Sequence, residues 1–377
     1  MKKVFVFFLL AILLCGCADK KTTHITIGNP AEQQYTEKNA VSRNPWDMVV
    51  YEGKLYVGAG DYDKNTGPAK ISEYNISKHE WKLSASLPDE QISRFKVIDG
   101  ILYAPGIDPK SEWTVGNLYY YDTKRWQTIS NVPDSVHLFD IAKFGDKIFY
   151  GIGTSSHDIA PVKASSNQKD YSDIYFYKDG QKLTEQGVFG YLRVYDFFVL
   201  KEQLYCAMRN PVKNAQDAEK VGTGGIYKYD GEAFQYYAPY YSEVVQTKDI
   251  AYVPLPVSET VGDSVYLVTG HLYKTEDFVH YTEIKMPDES TVVDILKEGK
   301  TLYILSKLQL SDSTFKTTVW RLDEDPVPLY SFDFGLGAMS FAKNGTSFYV
   351  GIGEIDEEIY KSKSDIIGTI IEIKNIQ

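Results

Sequence analysis

Seven times along the chain a short strand-like phrase carries an aromatic at the same place: Gly53-Lys54-Leu55-Tyr56, Gly100-Ile101-Leu102-Tyr103, Lys147-Ile148-Phe149, Gln203-Leu204-Tyr205, Ser264-Val265-Tyr266, Thr301-Leu302-Tyr303 and Ser347-Phe348-Tyr349. Successive aromatics lie 47, 46, 56, 61, 37 and 46 residues apart, close to the period of a four-stranded propeller blade and too long for a leucine-rich or ankyrin unit. Between the copies run short alternating stretches broken by turn residues, with no amphipathic helix of three turns. The expected fold is all-β: a single seven-bladed β-propeller of four-stranded antiparallel blades over residues 44–377. An aromatic content of 14%, led by 30 Tyr, suits blades that pack face to face.

The first repeat names the parts of a blade. Trp46 to Tyr51 reads as the inner strand, Lys54 to Gly60 as the second, Ala69 to Asn75 as the third and Trp81 to Ser84 as the outer. An aromatic precedes another by seven residues at Tyr74 and Trp81, Tyr119 and Trp126, and Tyr229 and Tyr236. Glycines follow the second strand in Gly58-Ala59-Gly60, Gly151-Ile152-Gly153 and Gly351-Ile352-Gly353. In these features residues 44–375 resemble the kelch-like propellers, with the glycine pairs split by one residue. The resemblance implies architecture and carries no activity with it. The aspartate box of sialidase propellers and the Trp-Asp endings of the WD type are both missing.

Lys2 and Lys3 precede an apolar run from Val4 to Leu14, the layout of a secretory signal peptide and too short to span a bilayer. Leu14-Cys15-Gly16-Cys17 resembles the lipobox of bacterial lipoproteins. That resemblance implies removal of residues 1–16 and lipidation of Cys17, hence a cell-envelope protein, periplasmic or surface-exposed. Ala18 in place of an aspartate then favours the outer membrane. An ordinary signal peptide containing two cysteines is the alternative. After cleavage Cys206 would be the only other thiol, so no disulfide is expected within the domain. Residues 17–43 read as anchor and tether, apart from the alternating 24–28, which suits a strand that closes the ring or a solvated linker. Loss of the two signal lysines takes the formal charge from −11 to −13, which argues against nucleic acid as a partner.

Nine residues before the recurring aromatic stand Asp47, Arg94, Asp140, Asp196, Asp294 and Ser340, with Asp249 reached by an insertion. Acids recurring near the axis either hydrogen-bond a neighbouring blade's amides or ring a cation at the channel. Arg94 breaks the series, and either neutralises Asp47 and Asp140 or grips an anion in the channel. Only six arginines stand against 34 lysines, yet Arg94, Arg193 and Arg209, with Arg43 as a candidate fourth, fall toward one propeller face. Their planar grip suits the carboxylate or sulfate of a uronate, sialate or sulfated sugar; scattered structural ion pairs are the plainer alternative.

The loops after each second strand share that face. Asp61 and Asp108 begin two of them, and Trp113 could stack on a sugar or cover its own loop. Asp61, Asp63 and Asn65 resemble the start of a calcium loop, but the twelfth position is Ser72 where a bidentate glutamate is needed. Neither a nucleophile elbow nor a zinc-ligand spacing is present, and no cofactor is implied. His137, at the entry to the third inner strand alongside the equivalent Asn44, Gln91 and Arg193, and His157 are the candidate acids or bases. The expected function is therefore non-catalytic binding of a glycan or envelope protein through Arg94, Arg193, Arg209, Asp61, Asp108 and Trp113. The competing expectation is a hydrolase or lyase acting on acidic polysaccharide. A purely structural assembly factor is a third.

Overall fold

Each of the seven recurring phrases lies at the start of a strand: Lys54–Gly58, Ile101–Pro109, Lys147–Gly153, Gln203–Arg209, Ser264–Val268, Thr301–Ser311 and Ser347–Ile352. The computed structural model describes residues 22–61, 66–109, 115–133, 137–153, 173–177, 184–188, 192–209, 224–241 and 257–376. An inner strand precedes each phrase through a tight turn. At Glu52 and Gly53 both central residues have positive φ, 48° and 72°, as the type I′ turn requires to match the twist of paired strands.

Five sheets have four antiparallel strands each. The first is Asp47–Tyr51, Lys54–Gly58, Ala69–Asn75 and Glu80–Leu87. Three more begin at the inner strands Arg193–Leu200, Val257–Val261 and Thr291–Glu298. The last combines Ala338–Asn344, Ser347–Ile352 and Ile370–Lys374 with Thr23–Gly28 from the other end of the chain. Inner strands pack side by side around the ring, with Ala338–Asn344 returning to Asp47–Tyr51. The fold is an all-β propeller of four-stranded antiparallel blades.

Five such blades stand as separate sheets, where seven were expected. The stretch expected to form the second and third is one nine-stranded sheet. The cause is the length of Ile101–Pro109, which outruns its partner Val115–Tyr121 at Pro105. Beyond that point Ile107 pairs with Gln91 on one side and with His137 on the other, stitching the two stretches together.

The split glycine pairs allow sheets to touch. A Cβ on Gly60 would lie 2.1 Å from the Glu90 carbonyl oxygen, and one on Gly153 would lie 2.7 Å from Arg193 Cγ. Trp81 lies opposite Tyr74, but Trp126 lies opposite Tyr121, so the seven-residue aromatic interval marks different pairs in the two repeats. Between sheets the core is continuous: Met48, Leu55, Val57 and Tyr74 pack on Ala342, Tyr349 and Ile370 across the ring closure. Each such large side chain is worth about 1.5–3 kcal/mol when buried.

The recurring aspartates act as ties between sheets. Asp47, Asp140 and Asp294 accept the main-chain amides of Phe95 at 2.5 Å, Phe197 at 2.9 Å and Phe341 at 3.0 Å, the first just before the strand Lys96–Ile98 and the other two on the inner strands Arg193–Leu200 and Ala338–Asn344. A bulge precedes Asp140, Asp196, Asp294 and the equivalent Ser340, with Phe139, Tyr195, Val293 and Met339 as the extra residues, while Asp47 has none. The added twist suits a side chain aimed at the adjacent sheet.

At the N-terminus, residues 24–28 lie in an outer strand, and Trp81 Nε1 donates to the Ile27 carbonyl at 2.8 Å. Residues 29–43, expected as tether, are packed: Tyr35, Ala40 and Val41 are buried. Arg43 donates to the carbonyls of Tyr35 at 2.7 Å and Ser364 at 2.9 Å, which takes it out of the arginine cluster. Residues 1–16 and Cys17 lie outside the described residues.

Candidate functional site

Parallel inner strands give the channel two unlike ends: a mouth where they begin, and a hairpin end where they turn into the second strands. Along the mouth lies a continuous polar line. Asp61 is buried beside Gln91, because Gly60 bridges to Gln91 and the Asp61 amide donates to the Glu90 carbonyl at 2.8 Å. Gln91 and His137 flank Ile107, and Asp108 follows. His137 Nδ1 stands 2.6 Å from Asp108 Oδ1, both side chains buried. Across from His137 is Gly153, over which Arg193 lies, and across from Arg193 is Arg209.

Thus Asp61, Asp108, His137, Arg193 and Arg209 share one end of the channel. Arg193 is half-buried, its guanidinium carbon 5.9 Å from the centre of the Phe139 ring, while Arg209 is exposed. Trp113, His157, Asp63 and Asn65 lie outside the described residues. Among the described residues no group of three or more His, Cys, Asp or Glu is placed to hold a metal ion.

Arg94 belongs to a deeper layer. Its Nη1 lies 3.0 Å from Asp140 Oδ1 and 3.1 Å from Asp196 Oδ1, and Lys96 adds a contact of 3.3 Å to Asp140. Burial disfavours charge on Arg94, Asp140 and Asp196, yet the neighbouring Arg94 and Lys96 hold Asp140 below its usual range. Asp196, desolvated and beside an ionised Asp140, is pushed up to about 7. Arg94 therefore neutralises acids, as one of its two expected roles required, though its second partner is Asp196. Asp47 is raised by burial to about 6, and burial drives Asp294 well above its ordinary value.

Two features of the mouth were not anticipated. The residue before each recurring acid includes Trp46, Phe139 and Tyr195, and the last two stack with ring centroids 4.5 Å apart beneath Arg193. The same repeat alignment that found the acids contained them one step upstream. Asp89 is fully buried against Gly106, accepts hydrogen bonds from Tyr119 and Asn117, and is raised by burial to about 7. Its two partners lie 28 and 30 residues onward, separations that carry no motif.

At the hairpin end is an open recess of about 430 Å³ lined by Lys96, Val199, Ser258, Glu259, Thr260 and Lys297. Its lysines are engaged: Lys96 faces Asp140 and Lys297 donates to the Thr260 carbonyl at 2.5 Å. Cys206 is buried, and burial raises its thiol far from reactivity. Neither feature assembles groups as the mouth does.

No protein-family model matches the chain, and no curated protein is similar to it. Among solved structures, a chain of a mitotic checkpoint complex aligns with a TM-score of 0.50 at 10% identity over 99% of this chain and 100% of that one. A putative 6-phosphogluconolactonase from Bacteroides fragilis NCTC 9343 aligns with a TM-score of 0.47 at 13% identity, over 80% of this chain and 88% of the other. The GH93 alpha-L-arabinofuranosidase of Fusarium graminearum gives 0.42 at 10% identity, over 76% and 92%. The first supports the propeller fold alone, and at their lower scores the other two carry no functional argument.

Proposed function

We propose that this chain is a bacterial envelope lipoprotein, anchored through Cys17, whose β-propeller mouth binds an acidic glycan without altering it. In this reading the propeller has seven blades, the nine-stranded sheet counting as two, because that sheet holds two of the seven recurring phrases. One observation carries the binding reading: Arg193 and Arg209 are direct partners on adjacent antiparallel strands at the mouth. Side chains directly opposite on antiparallel strands lie close enough for one anion to reach both guanidinium groups. Two planar guanidinium groups suit a carboxylate or sulfate, and the buried aromatic pair Phe139 and Tyr195 supports Arg193 from below. Asp61 and Asp108 would set the polar rim.

A glycan array carrying uronate, sialate, sulfated and neutral chains, probed with the lipid-free mature domain, tests this. Acidic chains should be retained, and Arg193→Ala or Arg209→Ala should each weaken retention about tenfold or more, the worth of a charge-assisted hydrogen bond. Preference for neutral chains, or acidic binding indifferent to both substitutions, contradicts it.

The contact between His137 and Asp108 favours a second reading, an enzyme acting on acidic polysaccharide. Asp108 has a positive φ of 55°, a conformation uncommon for a non-glycine residue, and its carboxylate meets the imidazole there. His137 would move a proton, Asp108 would orient the ring, and the arginines would neutralise the substrate carboxylate. Release of product from uronate or sialate polymers by the wild type, lost in His137→Ala, would favour catalysis over binding; no product from either polymer class removes this reading for them.

A further inference from the structure

The strand Thr23–Gly28 decides at which end of the propeller the N-terminal segment leaves. Thr23 pairs with Lys374 and Gly28 with Ile370, while Ile373 pairs with Phe348 and Ile370 with Gly351. Thr23 therefore lies level with the start of Ser347–Ile352, at the hairpin end. Two hydrogen bonds fix this corner: Thr22 Oγ1 to the Asn375 carbonyl at 2.9 Å, and the Ile376 amide to the Thr346 carbonyl at 3.0 Å. At the opposite end of the same sheet, a Cβ on Gly353 would lie 2.3 Å from Asn44 Oδ1, level with Gly153 and Arg193.

We propose that the membrane-anchored propeller stands with its hairpin end toward the bilayer and its mouth directed away from it. The inference rests on lipidation of Cys17, which the signal sequence supports. Four residues separate Cys17 from Thr22, and the five Cα-to-Cα steps between them reach no more than about 18 Å. The eight-residue inner strand Arg193–Leu200 is about 23 Å long at the rise of a β-strand. An inverted propeller would require the link to run the height of the sheet before meeting lipid, which it is too short to do. The hairpin end itself is charged, with pairs such as Lys143 and Asp99 at 2.6 Å and Lys343 and Glu298 at 2.7 Å. Such a face rests at the water side of headgroups and does not insert. The partner is thus a lipid surface at short range, and the arginine pair is presented to whatever lies beyond it.

Energy transfer in liposomes tests the orientation. The lipidated full-length mature protein would carry a donor dye at Asp263→Cys, exposed at the hairpin end, or at Thr291→Cys, exposed at the mouth end, with an acceptor on the lipid headgroups. Cys206 is buried and Cys17 is blocked by lipid, so neither takes dye. The Asp263 dye should lose most of its emission and the Thr291 dye should keep most of its own. Equal loss, as for a propeller lying on its rim, or the reverse order overturns the proposal while leaving the anchor intact. Failure of the wild type to associate with membranes, with Cys17→Ser behaving identically, overturns the anchoring reading and this inference with it. Glycan retention by the lipid-free domain is unaffected by either outcome.

Discussion

A buried cation among acids is held by its neighbours, and Arg94 is the residue at which the nine-stranded sheet and the sheet bearing Asp196 meet electrostatically. Replacing it with Met removes the counter-charge of Asp140 and Asp196, both inaccessible to water. Breaking a buried pair on one side costs about 3–5 kcal/mol, so Arg94→Met should lower the urea midpoint sharply, whereas a change below about 1 kcal/mol would mean that the acids titrate away without cost. Titration also sets a pH dependence. Asp47 at about 6 and Asp89 and Asp196 at about 7 lie above the value of about 3.9 expected in the unfolded chain. Between those values the native state binds more protons than the unfolded state, so stability falls as pH rises from about 4 to about 7. Asp140 is shifted the other way, and its share is lost as pH falls below the usual carboxylate range. Thermal unfolding should therefore peak on the acid side of neutrality. Asp89→Asn, which keeps an acceptor for Tyr119, should flatten the decline toward pH 8; an unchanged slope would show that Asp89 takes no part.

Among the elements, the ends of the second strands carry both packing and site. Gly60 has a φ of 129° and meets the main chain of Glu90, which cannot step aside, so Gly60→Ala should cost more than about 1 kcal/mol, the change opposite in sign to the gain expected at a compatible backbone position. Gly153 has no positive φ and meets side chains alone, Arg193 Cγ at 2.7 Å and the buried Phe139 ring at 2.9 Å, so Gly153→Ala should cost less stability than Gly60→Ala while displacing Arg193 and weakening anion binding. Equal stability losses in the two variants would refute this division. The same comparison explains what was legible beforehand. The hairpin phrases, the interstrand role of the aspartates and the alternation of residues 24–28 were visible because each is a local pattern of period two or a fixed offset within a repeat. The partners of Arg94 were half visible: Asp140 occupies the next repeat, but Asp196 lies 102 residues away. The contact of His137 with Asp108 depends on where Ile101–Pro109 outruns its neighbour, a matter of register that no short window of sequence contains.

For the molecule as a whole, the ring closes by joining its two ends in one sheet, and that closure also aims the site. Thr23–Gly28 completes the last blade beside Ile370–Lys374, so anchoring and folding share a single strand. The merged nine-stranded sheet lies directly under the Asp108 and His137 side of the mouth, and the separate sheet bearing Arg193 and Arg209 faces it. Two different structural units thus build one polar surface on a protein of net charge −11. The central claim is that this surface receives an acidic sugar between two arginines. A crystal structure of the mature domain grown with a glucuronate oligosaccharide tests it most directly. The account predicts a sugar carboxylate within hydrogen-bonding distance of both the Arg193 and the Arg209 guanidinium groups; an oligosaccharide bound at any other surface, with the arginine pair unoccupied, would contradict it.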